Sequence, residues 1–242
     1  MMKHIRHKDF TYGLKRGLPI ALGYIPVSFT FGLMAVSGGI PLWMAIFISF
    51  SNLTSAGQFA GTNLIINGAG LLEITLTTFI INIRYMLMSL SLTQRLDKNM
   101  NLTKRLIIGY GVTDEIFSIA SMERASLTFP YLIGLIIGPV LGWTGGTALG
   151  AFISSALPDS LSNAMGIALY AMFIAIVLPV AKKSKPVIII VAISVAVVCI
   201  LKYLPMFSFI SSGFRIIIAT VIGAGIGAKL FPIDEEEATD EH

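Results

Sequence analysis

Long apolar runs separated by short polar clusters make up most of this chain. A helix crosses the hydrocarbon core in about 20 apolar residues. Runs of that length fall at 17–37, 70–93, 130–156, 163–181, 186–204 and 213–231. Two further apolar stretches are interrupted. Residues 41–67 contain the small, polar run Ser51-Asn52-Leu53-Thr54-Ser55-Ala56-Gly57-Gln58, and 106–124 contain Gly109, Gly111 and Thr113-Asp114-Glu115. The pattern predicts an all-α fold, a polytopic integral membrane helical bundle. It has about six full spans plus two broken or re-entrant segments, roughly seven to eight membrane segments in all.

Basic residues set the expected topology. They cluster at the N-terminus (Lys3, Arg6, Lys8, Lys15, Arg16), at 94–105 (Arg95, Lys98, Lys104, Arg105) and at 182–185 (Lys182, Lys183, Lys185). Loops rich in Lys and Arg stay in the cytoplasm, so an even number of crossings separates each cluster from the next. Three apolar segments lie between the first two clusters and three between the next two. One of each set therefore returns to its own side. In the first set the polar centre of 41–67 marks it as two half-helices on the outer side, or a broken helix. In the second set 106–124 is chosen, because Arg105 and Arg124 flank both its ends. The rival, 130–156, is long and holds Pro139. However, Gly134, Gly138, Gly142, Gly146 and Gly150 keep a spacing of four, which makes one ridge for close helix packing. The last two spans form a hairpin ending at Lys229, with Gly223 and Gly227 as a second small-residue pair. Residues 1–233 are expected to form a single transmembrane domain with both termini cytoplasmic. The acidic stretch 234–242 reads as a solvated, disordered tail. The basic start with no small-residue cleavage site predicts an uncleaved first span.

Composition sharpens this reading. Hydrophobic residues are 55% and charged residues 12% of the chain, against about 25% charged in soluble domains. Six of the 13 acids lie in the last nine residues, which leaves Asp9, Glu73, Asp97, Asp114, Glu115, Glu123 and Asp159 in the body. The net charge of +4 does not point to nucleic acid, because the cations sit in short clusters between apolar runs. A single cysteine, Cys199, excludes an internal disulfide and a cysteine metal cluster. His4, His7 and His242 are all terminal, which argues against a Ser-His-Asp triad or an intramembrane zinc site. No enzyme, catalytic residue, metal site or cofactor is expected. No Walker A sequence is present, so no ATPase activity is predicted.

The few polar groups inside the spans are candidates for function, since charge at mid-membrane is costly. Arg84 lies well inside 70–93, on one helix face with Glu73 and Thr77, while Asn82 points roughly the opposite way. Arg84 either holds a substrate carboxylate or pairs with Asp114 or Glu115 to brace the bundle. Asp114 and Glu115 are adjacent carboxylates, which do not both ionise readily in a low dielectric. They suit a coupling proton, or they are hydrated acids at a cytoplasmic helix edge. Ser51, Asn52, Ser55, Gly57 and Gln58 offer hydroxyls, amides and the N-terminus of a half-helix for a carboxylate. The bland alternative is a polar seam between helices. Asp159 reads as the cap of 163–181.

Several of these pieces carry a resemblance. Gly17-Leu18-Pro19 and Gly23-Tyr24-Ile25-Pro26 come first, then Ser55-Ala56-Gly57-Gln58-Phe59-Ala60, Asn82-Ile83-Arg84-Tyr85, Thr113-Asp114-Glu115 and Leu157-Pro158-Asp159. Together and in this order they resemble the AzlC family, the large subunits of bacterial branched-chain amino acid exporters (the YgaZ-type permeases). The resemblance covers nearly the whole chain. The stretch Ser51-Asn52-Leu53-Thr54 is more polar than the family pattern. The resemblance implies a permease in the bacterial cytoplasmic membrane that exports valine, leucine, isoleucine or analogues. It also implies a small AzlD-type membrane subunit as partner. Coupling to the proton gradient is expected, with Asn82 and Asp114 or Glu115 taking the ammonium or the proton. The alternative is a non-transporting scaffold or accessory subunit. An intramembrane enzyme ranks last.

Overall fold

The apolar runs fold as helices, and the interrupted ones break where their polar residues lie. The computed structural model describes residues 2–97, 100–123, 126–154, 174, 178, 181, 182 and 184–232. In order these form α1 (Met2–Ser37), α2 (Leu42–Ser51), α3 (Ala56–Ile66), α4 (Leu71–Thr93), α5 (Leu102–Tyr110), α6 (Asp114–Ser121) and α7 (Phe129–Ser154). They are followed by α8 (Lys185–Tyr203), a 3₁₀ turn at Pro205–Phe207, and α9 (Ser212–Leu230). Among the described residues five helices are long and apolar enough to cross a membrane: Asp9–Ser37, Leu71–Thr93, Phe129–Ser154, Lys185–Tyr203 and Ser212–Leu230. The span expected at 163–181, the cap at Asp159 and the tail 234–242 lie outside the described residues.

The chain divides into two compact units. The first comprises Met1–Phe59 and Asn82–Leu169, and the second Ala60–Ile81 and Tyr170–His242.

In the first unit α1 and α7 run parallel and touch backbone to backbone. The Cα of Gly13 faces the carbonyl of Tyr131, Gly17 that of Leu135, and Gly32 that of Thr147. From the other side Gly134 faces the carbonyl of Phe10, Gly142 that of Ala21, and Gly150 that of Phe29. At the far end Ser37 and Ser154 hydroxyls meet at 3.1 Å. The four-residue glycine ridge on α7 is thus the seam, and small residues let the two backbones approach. α7 stays continuous through Pro139, so Phe129–Ser154 is one helix.

α2 turns back from the Ser37 end and descends along α7, reaching Thr147 through Ser49 at 2.6 Å. The helix stops at Asn52, and Ser55 takes a left-handed conformation with φ +46°. Gln58 then reaches back to Ser49, and the Phe59 ring meets Phe31 edge-on at 5.2 Å. The first turn of α3 therefore lies beside the last turn of α2, as a hairpin of half-helices requires.

α5 and α6 form the opposite hairpin. α5 starts with Lys104 over the Phe129 ring and ends with Gly111 against the side chain of Ile136. After the break at Gly111–Thr113, α6 returns to the starting end. There Arg95 donates to the Ser121 carbonyl, and Tyr12 and Tyr131 donate to Glu123. Arg16 adds an ion pair to Glu123 at 3.6 Å. The helices Leu102–Tyr110 and Asp114–Ser121 are thus the pair that turns back. Its apolar side, Ile108, Val112, Ile116 and Ala120, packs into one core with Leu132, Leu135 and Ile136 of α7.

In the second unit α8 and α9 pair antiparallel, with Gly223 against Ser194 and Gly227 against Ile190. Glu73 accepts a hydrogen bond from Gly213 N at 2.7 Å, so a carboxylate of α4 caps the N-terminus of α9.

Candidate functional site

The tips of the two half-helix hairpins meet on α4. Arg84 is ion-paired with Asp114, the first residue of α6. Its second nitrogen donates to the Tyr85 hydroxyl at 3.1 Å, and the guanidinium lies 4.8 Å from the centre of that ring. The Tyr85 hydroxyl in turn donates to the carbonyl of Thr54 at 3.3 Å, inside the α2–α3 break. Tyr110, at the end of α5, donates to the carbonyl of Phe50 at the end of α2. Two consecutive residues of α4 thus hold both breaks.

Local chemistry shapes each break. Thr113 is the N-cap of α6, its hydroxyl accepting from Ile116 N. Asp114 and Glu115 then stand in the first turn, where the helix dipole favours negative charge. At the other break Ser51 donates to the carbonyl of Phe47 at 2.8 Å, and Asn52 accepts from Thr54 at 2.6 Å. Gly57 N and Phe59 N are held by the carbonyls of Thr54 and Ser55. Gly57 is buried against the Asn82 side chain, and a Cβ there would collide with the amide. The Asn82 Oδ1 itself is buried without a hydrogen-bond partner. A buried acceptor left open costs about 1–3 kcal/mol.

Not every expected residue faces this point. Ser51 is exposed and bonds within its own helix. Gln58 is 1% exposed and committed elsewhere: it donates to Ser49 at 3.1 Å and accepts from Trp143 Nε1 at 2.9 Å. Ser49 continues to Thr147, whose hydroxyl reaches the Ser28 carbonyl at 3.2 Å. Glu73 and Thr77, on the Arg84 face in sequence, meet Gly213 of α9 in the second unit. Glu115 is exposed and accepts from the Tyr24 hydroxyl at 2.5 Å, while Tyr24 also lies 2.7 Å from the Thr113 hydroxyl. Tyr24, Tyr85 and Trp143 were not among the expected site residues. Aromatic side chains in apolar runs read as lipid or core contacts, and only Tyr85, directly after Arg84, carries a positional hint. No group of three or more His, Cys, Asp or Glu residues able to hold a metal occurs among the described residues.

The surface around these elements is apolar. Trp43, Phe47, Leu71, Leu87 and Leu141 are all more than 60% exposed, a density of large apolar side chains that requires a hydrocarbon cover. Long apolar helices, exposed apolar aromatics and an ion pair between the long helix α4 and the half-helix α6 define a polytopic helical membrane protein. The chain belongs to the AzlC family, whose description, AzlC protein, matches residues 19–157. It is 31% identical over 176 residues to the inner membrane protein YgaZ of Escherichia coli K12, across 70% of this chain and 72% of that one. An uncharacterized membrane protein of Archaeoglobus fulgidus is 32% identical over 172 residues, across 70% and 75%. One from Helicobacter pylori is 26% identical over 151 residues, across 54% and 65%. No solved structure matches. The family is associated with membrane transport and is not an enzyme family.

Proposed function

We propose that the protein is the large subunit of a branched-chain amino acid exporter, driven by the proton gradient. The observation that carries this reading is the Arg84–Asp114 pair at the junction of two broken helices, beside the open acceptor of Asn82. An α-amino acid carries one carboxylate and one ammonium. Its carboxylate replaces Asp114 on Arg84, and its ammonium goes to Asp114 and Asn82 Oδ1. Broken helices at membrane depth are a common substrate site in transporters. The turn built by Asn52, Ser55 and Gly57 shapes the wall against Asn82, Ser51 ends α2 above it, and Gln58 holds the turn to α7. Asp114 and Glu115 are the acids available for a coupling proton.

The resemblance to YgaZ-type permeases supports valine, leucine or isoleucine as cargo and a small AzlD-type membrane subunit as partner. Relatives described as membrane proteins, one of them an inner membrane protein, support a bacterial cytoplasmic membrane. The Lys and Arg clusters support cytoplasmic termini. The second reading is a non-transporting scaffold, favoured by the direct closure of Arg84 on Asp114.

Efflux of preloaded radiolabelled leucine from cells expressing this chain with its small partner tests the proposal. Efflux that collapses with the proton gradient, and is lost in Arg84→Ala at equal membrane abundance, is expected. No efflux of leucine, valine or isoleucine by the intact pair would remove the substrate assignment.

A further inference from the structure

Trp143, Gln58, Ser49 and Thr147 are all buried and form one hydrogen-bonded line through the first unit. Its two ends fix its direction, because an indole N–H can only donate and a backbone carbonyl can only accept. Trp143 Nε1 donates to Gln58 Oε1 at 2.9 Å, so the Gln58 amide nitrogen faces Ser49 and donates to it at 3.1 Å. At the other end the Thr147 hydroxyl donates to the Ser28 carbonyl at 3.2 Å. The proton between Ser49 and Thr147, 2.6 Å apart, therefore belongs to Ser49. Turning the Gln58 amide over would set its NH2 against the indole N–H and leave both without an acceptor. A buried network whose members are all satisfied specifies one arrangement.

The line joins a rigid element to an irregular one. On α7, Trp143 lies between Gly142 and Gly146, which pack against the Ala21 and Ile25 carbonyls of α1. The Tyr24 ring meets its indole edge-on at 5.2 Å. Gln58 stands in the first turn of α3, directly after the break, where Ser55 is left-handed. Its chain neighbour Gly57 is the residue seated against the Asn82 amide.

We propose that Trp143 is a positioning residue for the site around Arg84 and Asn82. Its N–H holds the Gln58 amide in one orientation, and that amide ties the first turn of α3 to α2 and α7. Gly57 thereby stays seated against Asn82. This inference rests on the reading of Arg84, Asp114 and Asn82 as an amino acid site. Trp143 acts through Gln58 and is not itself a ligand of the substrate. Trp143→Phe keeps an aromatic ring against Tyr24 but removes the donor. Gln58 Oε1 is then open, the amide loses its single orientation, and the turn is free to move off Asn82.

Thiol accessibility of the purified full-length chain in lipid vesicles tests this without any amino acid. Cys199→Ser removes the native cysteine, the only one in the chain, and Asn82→Cys places a thiol against Gly57. N-ethylmaleimide should label that position slowly, and about tenfold faster once Trp143→Phe, or Gln58→Leu from the other side, breaks their hydrogen bond. Ala120→Cys, in the buried core of α6, is the control, and its rate should not change. Unchanged labelling at position 82, or equal acceleration at 82 and 120, overturns the proposal; the second result means general loosening. In a Trp43→Phe background Trp143 is the only tryptophan, and the Raman marker of its indole N–H should report a lost hydrogen bond in Gln58→Leu. An unmoved marker also overturns the proposal. With the small partner present, Trp143→Phe should raise the KM for leucine efflux by about tenfold and leave the maximal rate within about twofold. Combining Trp143→Phe with Gln58→Leu should be no worse than either alone, since both break one bond, and additive losses contradict that. No leucine transport by wild type, with the labelling pattern as expected, would keep Trp143 as the residue that positions the turn and remove the amino acid reading.

Discussion

Arg84 on α4 is ion-paired with Asp114 on α6, and both side chains remain about 40% exposed. The pair is therefore reachable by a ligand. Opposite substitutions distinguish a brace from a binding site. If the pair only braces the bundle, Arg84→Asp combined with Asp114→Arg restores whatever each single change loses. If it binds an amino acid, the double variant stays inactive at wild-type abundance, because the cation no longer lies beside Tyr85 and Asn82. Efflux and membrane abundance, measured side by side, give the answer.

Gly57→Ala is expected to abolish transport at little cost in folding. The added Cβ meets the Asn82 amide, and a side chain can rotate where a backbone could not. The displaced Oδ1 is the open acceptor assigned to the ammonium. The check is leucine efflux against thermal stability in detergent: a loss of at least about tenfold in efflux, as for one charged hydrogen bond of about 1.5–3 kcal/mol, with the melting midpoint shifted by only a few degrees.

Ser55 sits at φ +46°, a conformation that costs a non-glycine residue about 1–2 kcal/mol. Ser55→Gly should raise stability by about 1 kcal/mol if the turn is otherwise unchanged. A thermal melt checks this. The same variant should slow transport if the strain serves to hold the break open.

Much of this architecture was legible in the chain. The Lys and Arg clusters require that one of three segments turn back between each pair of clusters; the polar centre of 41–67 marks the first and the flanking Arg105 and Arg124 the second, and the helices break at Asn52–Ser55 between α2 and α3 and at Gly111–Thr113 between α5 and α6. The four-residue glycine spacing on α7 announced a seam, although not that α1 would supply its carbonyls. Local periodicity gives a residue's face but not its partner. The Arg84 face in sequence also holds Glu73 and Thr77, which meet Gly213 instead. Gln58 belongs to the polar run Ser51–Gln58 whose hydroxyls and amides suggest binding, and the run gives no sign that Trp143, 85 positions away, donates to its amide. Tyr24 and Glu115 are 91 positions apart, and nothing short-range joins them.

The seam itself makes a stability prediction. Gly142 faces the carbonyl of Ala21 on backbone that cannot yield, whereas Gly145, on the same helix, has open space around its Cα. Gly142→Leu should destabilise or prevent insertion. Gly145→Ala should be neutral or stabilise by about 0.5–1 kcal/mol through helix propensity. Thermal unfolding of purified variants separates the two.

Equilibrium binding of tritiated leucine to the purified protein with its small partner, wild type beside Arg84→Ala, tests the central claim most directly. Saturable binding that weakens by at least about tenfold in the variant, the equivalent of about 1.4 kcal/mol, is the predicted result. Equal affinity in the two proteins would contradict the placement of the substrate carboxylate on Arg84.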